Sequence, residues 1–200
     1  MMQNNIAFSK DLLRKKLRSE RLAIAVDTRE MAALAAADLF VGSDLFLENM
    51  KFAGYIGHGG EFDVAPILQQ IWQAGKRCYL PVLSGEQSGW LQFVRYESDT
   101  VLQTNKYNIL EPEFVVENAL AAAELDVVLM PLTAFNREGF RLGSGGGYYD
   151  RTFAFLRERS VRKPLLIGVG FALQEFVELQ HDEWDVKLDG VLTEQELVLF

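Results

Sequence analysis

Four glycines in five positions, Gly143, Gly145, Gly146 and Gly147, mark the segment from Pro131 to Arg151 as the part of the chain most able to do chemistry. Without Cβ atoms, such a run can turn successive backbone N–H groups toward one anion. Arg141 stands just before the glycines and Asp150 three residues after the last of them. A helix starting near Gly147 would add its positive end to the concavity and point Asp150 back toward it. An anion cradle, a guanidinium and a hard-cation ligand are the parts that phosphoryl transfer needs. Glycine content alone equally suits a flexible turn between a strand and a helix. Other phosphate motifs fit less well. No Gly-Lys-Ser/Thr is present, so this is not a Walker A loop. Tyr148 occupies the third-glycine position of a dinucleotide fingerprint, and no acidic residue closes the strand Leu165 to Phe171.

A second group of charges lies near the start of the chain. Lys10, Arg14 and Arg18 are spaced i, i+4, i+8 and share one face of a helix, either as an anion grip or as a solvated face. The formal net charge of −8 argues against a broad nucleic-acid-binding surface but leaves room for such a local grip. Cys78 is the only cysteine, which excludes an intrachain disulfide and a cysteine-cluster metal site; its apolar neighbours make it a core residue. His58 and His181 are far apart in sequence and are read as non-catalytic.

The elements that must position these residues alternate. Ser9 caps a helix through about Leu22, with Leu12, Leu13 and Leu17 on its apolar side. Asp27 opens a capping box with Glu30 for an Ala-rich helix to Phe40. Lys51 to Gly57 reads as a strand ending in a glycine-rich turn, Asp63 as the cap of a helix that Gly75 stops, Arg77 to Leu83 as a strand, and Trp90 to Tyr96 as another. Asp126 to Leu132 and Leu165 to Phe171 are continuous apolar runs, as in strands covered on both faces; Tyr148 to about Arg159 reads as helix and Gly190 to Leu192 as a short last strand. This order predicts an α/β fold, a mostly parallel sheet sandwiched by helices, in a single domain over 1–200. No secretory signal is legible in Met1 to Lys10, and no stretch approaches the roughly 20 apolar residues of a membrane helix, so a cytoplasmic protein is expected, with no membrane partner.

The run Arg141-Leu-Gly-Ser-Gly-Gly-Gly-Tyr-Tyr-Asp-Arg151 after the strand Asp126 to Leu132 resembles the signature of the 5-formyltetrahydrofolate cyclo-ligase family. Further matches follow in the family's order: Lys10-x-x-x-Arg14, Glu61-Phe62-Asp63, Ala74 to Pro81, Ile109 to Pro112, Ile167 to Gly170, and His181-Asp182-x-x-Asp185 leading to Asp189-x-Val191-x-Thr193. Together they span nearly the whole chain. Ser144 departs from the Arg found in many relatives, so one phosphate contact is missing or supplied elsewhere.

The resemblance implies a ligase that uses ATP and Mg²⁺ to convert 5-formyltetrahydrofolate into 5,10-methenyltetrahydrofolate through an iminophosphate, on a fold like that of sugar-phosphate isomerases and CoA transferases. It implies Arg141 and Asp150 as catalytic residues, and Lys10, Arg14, Arg141 and the segment Gly143, Ser144, Gly145, Gly146, Gly147, Tyr148, Tyr149, Asp150 as the ATP site. Tyr55, Ile56, Glu61, Tyr148 and Tyr149 would hold the folate, with or without a polyglutamate tail, and Asp150 and Asp189 the metal. Structural alternatives stand beside these roles: a helix first-turn charge for Asp150 and for Glu61, a turn residue for Asp189, core aromatics for Tyr55 and Tyr149. A monomer is expected. An isomerase or acyl transferase on the same fold, or a non-catalytic folate- or nucleotide-binding protein, are the competing readings.

Overall fold

The computed structural model describes residues 9–83, 89–158 and 163–200. The expectations for Met1 to Phe8 and for a helix end at Arg159 fall outside the described residues. Ser9 caps the first helix, α1 (Lys10–Leu22), by accepting from the Leu12 N–H. Its buried stripe is Leu13, Leu17 and, four residues on, Arg21. In α2 (Val26–Val41) the cap position falls on Ala25, which has no side-chain acceptor, so Asp27 is a first-turn charge and not the cap. A short α3 (Asp44–Glu48), capped by Ser43, was not anticipated. In α4 (Ala65–Gln73) the cap is Val64; Asp63 lies one residue earlier and accepts from the Ala65 N–H, while Gly75, at φ +68°, turns the chain out of the helix.

The strands are β1 (Lys51–Ala53), β2 (Arg77–Leu83), β3 (Leu91–Arg95), β4 (Leu102–Thr104), β5 (Leu110–Pro112), β6 (Ala119–Leu120), β7 (Val127–Pro131), β8 (Ala134–Phe135), β9 (Arg141–Leu142), β10 (Leu165–Val169), β11 (Gly190–Leu192) and β12 (Leu197–Leu199). Eight of them form one sheet in the order β12-β11-β10-β7-β1-β2-β3-β6, while β4 pairs with β5 and β8 with β9 in separate hairpins. The five central strands, β11 to β2, are parallel; β12 and β3 run against them. From β1 the chain moves one way to β2 and the other way to β7, so the sheet order reverses between the C-terminal ends of β1 and β7. In open α/β sheets that crevice is where ligands bind.

One face of the sheet packs Phe52, Cys78, Val127, Leu129 and Ile167 against α2, α3 and α4, with Ala36, Phe40, Phe46, Ile67 and Ile71 fully buried or nearly so. The parallel strands are apolar on both faces, as their unbroken runs require. The other face carries Ala53, Val128, Met130 and Leu166 under Phe153, Val186 and Leu188. Its cover is lighter than expected: α5 (Tyr148–Thr152) has only five residues, followed by a 3₁₀ turn over Ala154–Arg157. Burial pushes the Cys78 thiol up to about 12, in keeping with a core residue.

Candidate functional site

A cleft of about 1030 Å³ opens at the C-terminal ends of β1, β2 and β7. Its walls come from α1, the turn after β1, the β4–β5 hairpin and the glycine loop before α5. All the residues expected to bind nucleotide or folate line this one cleft: Lys10, Arg14, Tyr55, Ile56, Glu61, Arg141, Gly143 to Gly147, Tyr148, Tyr149 and Asp150.

The glycine loop is shaped by its neighbours. Gly145 and Gly147 have φ of +107° and +66°, and a Cβ on Gly147 would come within 2.7 Å of the Arg151 guanidinium. Arg151 donates to the carbonyls of Gly89 and Gly146, both at 2.8 Å. Arg14 Nε donates to the Gly143 carbonyl at 3.0 Å, and Arg18 reaches the Ser144 carbonyl. On the cationic face of α1, Arg14 is therefore docked on the loop, while Arg18 touches it and stays exposed to solvent. The loop is closed by side chains from both flanks, and its open side faces the cleft.

Asp150 does something the sequence did not suggest. Neither capping nor an unpartnered carboxylate is seen: its Oδ1 accepts from Arg141 Nη2 at 2.8 Å and from the Val186 N–H at 3.2 Å. Arg141 is buried, with a side chain only 4% exposed, and spends a second N–H on the Val186 carbonyl at 2.8 Å. Arg141 is thus already paired with a carboxylate, and the five-residue α5 contributes little dipole. Asp150 still borders the cleft, leaving its second oxygen for another partner.

Asp189 must be corrected. It precedes β11, at the N-terminal end of the parallel strands, and its carboxylate accepts from the Leu166 N–H at 2.7 Å. It is therefore at the far end of the sheet from the cleft and cannot share an ion with Asp150. The acidic residues that this part of the chain does bring to the cleft are Asp182 and Asp185, four and one positions before Val186. Both pair with Lys10, Asp182 directly and Asp185 at 3.6 Å. The spacing Asp182-x-x-Asp185 was visible in the sequence, but choosing between these residues and Asp189 needs the strand direction.

The opposite wall is apolar with a charged floor. Tyr55 is buried and donates its hydroxyl to the Phe62 carbonyl at 2.8 Å. Tyr149 is shielded too, and burial raises both phenols well above their ordinary range, so both stay neutral donors. Glu61 is half-buried; burial raises its pKa, while the His58 N–H and the nearby Arg21 guanidinium pull it back down. At the rim the hydroxyls of Tyr148 and Tyr107 meet at 2.9 Å. His181 lies stacked on Phe140, ring centroids 3.6 Å apart. Among the described residues no group of three or more His, Cys, Asp or Glu side chains could hold a metal alone, so an ion here needs oxygens from a ligand.

Residues 6–194 match the model of the 5-formyltetrahydrofolate cyclo-ligase family. The 5-formyltetrahydrofolate cyclo-ligase of Escherichia coli K12 is 35% identical over 178 residues, which cover 88% of this chain and 96% of that one. The mouse enzyme of the same name is 27% identical, covering 91% and 92%. Among solved structures, the 5,10-methenyltetrahydrofolate synthetase of Aquifex aeolicus superposes with a TM-score of 0.79 at 28% identity, covering 95% of this chain and 92% of the other.

Proposed function

The chain belongs to the 5-formyltetrahydrofolate cyclo-ligase family, and from that premise we propose how its cleft converts 5-formyltetrahydrofolate to 5,10-methenyltetrahydrofolate at the expense of ATP. The single observation that carries the reading is the meeting of two unlike halves in one cleft: the cationic glycine loop with Lys10 and Arg14, and the apolar Tyr55–Tyr149 wall with Glu61 at its floor. One half suits a polyphosphate, the other a flat heterocycle with an N–H edge.

An amide-like formyl oxygen is a poor leaving group, and phosphate is a good one. Transfer of the γ-phosphoryl group to the formyl oxygen releases ADP and gives an iminophosphate. Attack by the neighbouring folate nitrogen on the formyl carbon closes the ring, phosphate departs, and the nitrogen's proton goes to solvent. The protein contributes position and charge. Lys10, Arg14 and the Gly143–Gly147 backbone hold the phosphates. Tyr148 and Tyr149 border both ligands. Tyr55 and Ile56 line the heterocycle's pocket, and Glu61 accepts its paired N–H groups. Arg141 acts chiefly through Asp150, fixing that carboxylate at the cleft wall.

The carboxylates fit a divalent cation. Asp150 has a spare oxygen, and Asp185 sits one residue before the Val186 N–H that Asp150 accepts. Hard oxygen donors beside a phosphate cradle are what magnesium takes. Asp150 and Asp185, in place of Asp189, would hold it, and the ion would supply charge neutralisation on the phosphates. The expected likeness to sugar-phosphate isomerases and CoA transferases is one of fold and assigns no chemistry.

The test is an assay of purified protein with 5-formyltetrahydrofolate, ATP and Mg²⁺, following the methenyl product by absorbance. Product, ADP and phosphate in equal amounts are expected. AMP and pyrophosphate, or no product, would refute the reading.

A further inference from the structure

Arg21 is a charged residue where α1 should present an apolar one. It follows Leu13 and Leu17 on the buried stripe and is 3% exposed. Among the described residues no carboxylate pairs with it within 4 Å, and its Nε–H has no acceptor. Its two terminal nitrogens donate to backbone carbonyls, Nη1 to Leu132 and Nη2 to Gly59, both at 3.2 Å. Burial works most strongly against the cation and lowers its pKa, with Arg18 and Arg29 adding to it, while Glu61 works in its favour. Burying an unpaired guanidinium is costly unless something else in the site uses it.

The two carbonyls have a particular address. Leu132 directly follows β7 and Gly59 lies in the turn after β1. These are the two chain segments that diverge where the sheet order reverses, so Arg21 ties the walls of the crevice together. Gly59 also lies within the turn that Glu61 closes. The Glu61 N–H donates to the His58 carbonyl at 3.1 Å, and the His58 N–H donates to Glu61 Oε2 at 3.3 Å. One guanidinium thus grips the centre of the turn that aims Glu61.

We propose that Arg21 is the positioning residue of the heterocycle pocket: it staples the Glu61 turn to the end of β7 and supplies the buried counter-charge against which Glu61 presents its carboxylate to the ligand's N–H edge. The inference rests on the reading of Glu61 given above. Other groups act on this corner as well: Arg18 on α1, Arg29 on α2, His58 and Asp63 on either side of Glu61, Tyr55 after β1, Tyr149 on α5 and Arg141 beside it. Of these Arg18 is exposed, Arg29 spends its guanidinium on the carbonyls of Arg21, Leu22 and Ile24, and Arg141 is paired with Asp150. The tyrosines are neutral, which leaves Arg21 as the buried cation without a carboxylate partner of its own among the described residues. Removing it lets Glu61 take up a proton at higher pH. A protonated carboxyl can no longer accept two N–H groups.

The experiment is steady-state kinetics of the full chain from about pH 6 to about pH 8.5, varying folate and ATP separately, with melting temperature recorded for each variant. In Arg21→Gln, Leu132 O keeps its bond from Gln174 and Gly59 is open to water, so the fold should survive. The folate KM should rise severalfold near pH 6 and recover most of that near pH 8.5, with the ATP KM within about twofold of the parent. Glu61→Gln should raise the folate KM at all pH values, and adding Arg21→Gln to it should bring no further pH-dependent loss. A His58→Gln control keeps the backbone N–H bond to Glu61 and removes only the imidazole's lesser favourable influence, so it should move the profile less than Arg21→Gln does. Should Arg21→Gln fail to fold, Arg21→Lys keeps the charge but cannot span both carbonyls, and a severalfold rise in folate KM is expected. An unaltered folate KM and pH profile in the Arg21 variants beside an impaired Glu61→Gln overturns the role of Arg21 alone. An unaltered folate KM in Glu61→Gln overturns the assignment of Glu61 itself.

Discussion

Replacing Asp150 by Asn separates two uses of one carboxylate. The structural use is visible: Oδ1 accepts from the buried Arg141 and from the Val186 N–H. Deleting one partner of a fully buried pair costs about 3–5 kcal/mol, because it strands the other charge. Here the loss is smaller. The Asp150 side chain is 24% exposed, and an amide oxygen can still accept from both donors. What disappears is the charge assistance, about 1–2 kcal/mol, or a fall in Tm of about 2–8 °C for a chain of this size. The proposed metal use makes a far larger demand, since Mg²⁺ favours carboxylate over neutral amide oxygen. Asp150→Asn should therefore lower kcat by at least about a hundredfold, roughly 2.7 kcal/mol of lost transition-state stabilisation, while raising the Mg²⁺ needed for half-maximal rate. Mg²⁺ titrations of rate, with thermal melts of the same samples, measure both. A variant that melts lower yet turns over near the parent rate at low Mg²⁺ would show that Asp150 serves only to hold Arg141.

Other outcomes follow from the same geometry. Asp185→Asn should raise the Mg²⁺ requirement, whereas Asp189→Asn should lower Tm without changing it; the reverse pattern in Mg²⁺ titrations would refute the placement of the ion. Arg14→Ala removes the cation docked on Gly143 and should raise the ATP KM about tenfold or more, with the folate KM changed far less, as kinetics with each substrate varied would reveal. Gly147→Ala forces a side chain into φ +66° and against Arg151, so melts should drop by a few degrees and the ATP KM should rise; an unaffected ATP KM would deny the loop its phosphate role. Lys10→Ala should weaken ATP binding yet strengthen Mg²⁺ binding to the nucleotide-free protein by calorimetry, because it frees Asp182 and Asp185.

Hydrophobic periodicity made the centre of the sheet legible. Arg77–Leu83 and Gly190–Leu192 fall where the apolar runs place them, and β7 and β10 lie inside theirs. The peripheral pairs, β4 with β5 and β8 with β9, are two or three residues long and carry no pattern of their own; tertiary position makes them strands. Helix starts were displaced as well. Asp27 and Asp63 are good capping types, yet the chain enters the helices at Ala25 and Val64, so neither aspartate stands at the cap position. In the site, the glycine loop and Arg14 were legible because their chemistry is local. Asp185 was not separable from Asp189, since a span of four residues crosses from one end of the sheet to the other. Arg21 did leave a signal, a charge continuing the Leu13–Leu17 stripe at i+4, but only its buried partners give that charge a purpose.

The pairing of Lys10 with Asp182 and Asp185 makes two ligands depend on each other. With the cleft empty, the ammonium occupies the carboxylates and competes with any divalent ion for them. Phosphates draw the ammonium away and leave oxygens behind that are attractive to the ion. On the proposed reading of the site, nucleotide and metal should then bind with positive heterotropic cooperativity, and linkage requires each to raise the affinity of the other by the same factor. Free metal should then have little hold on the resting protein. The competent state would assemble when nucleotide and cation arrive together, and magnesium concentration would act mainly through the fraction of nucleotide that carries it.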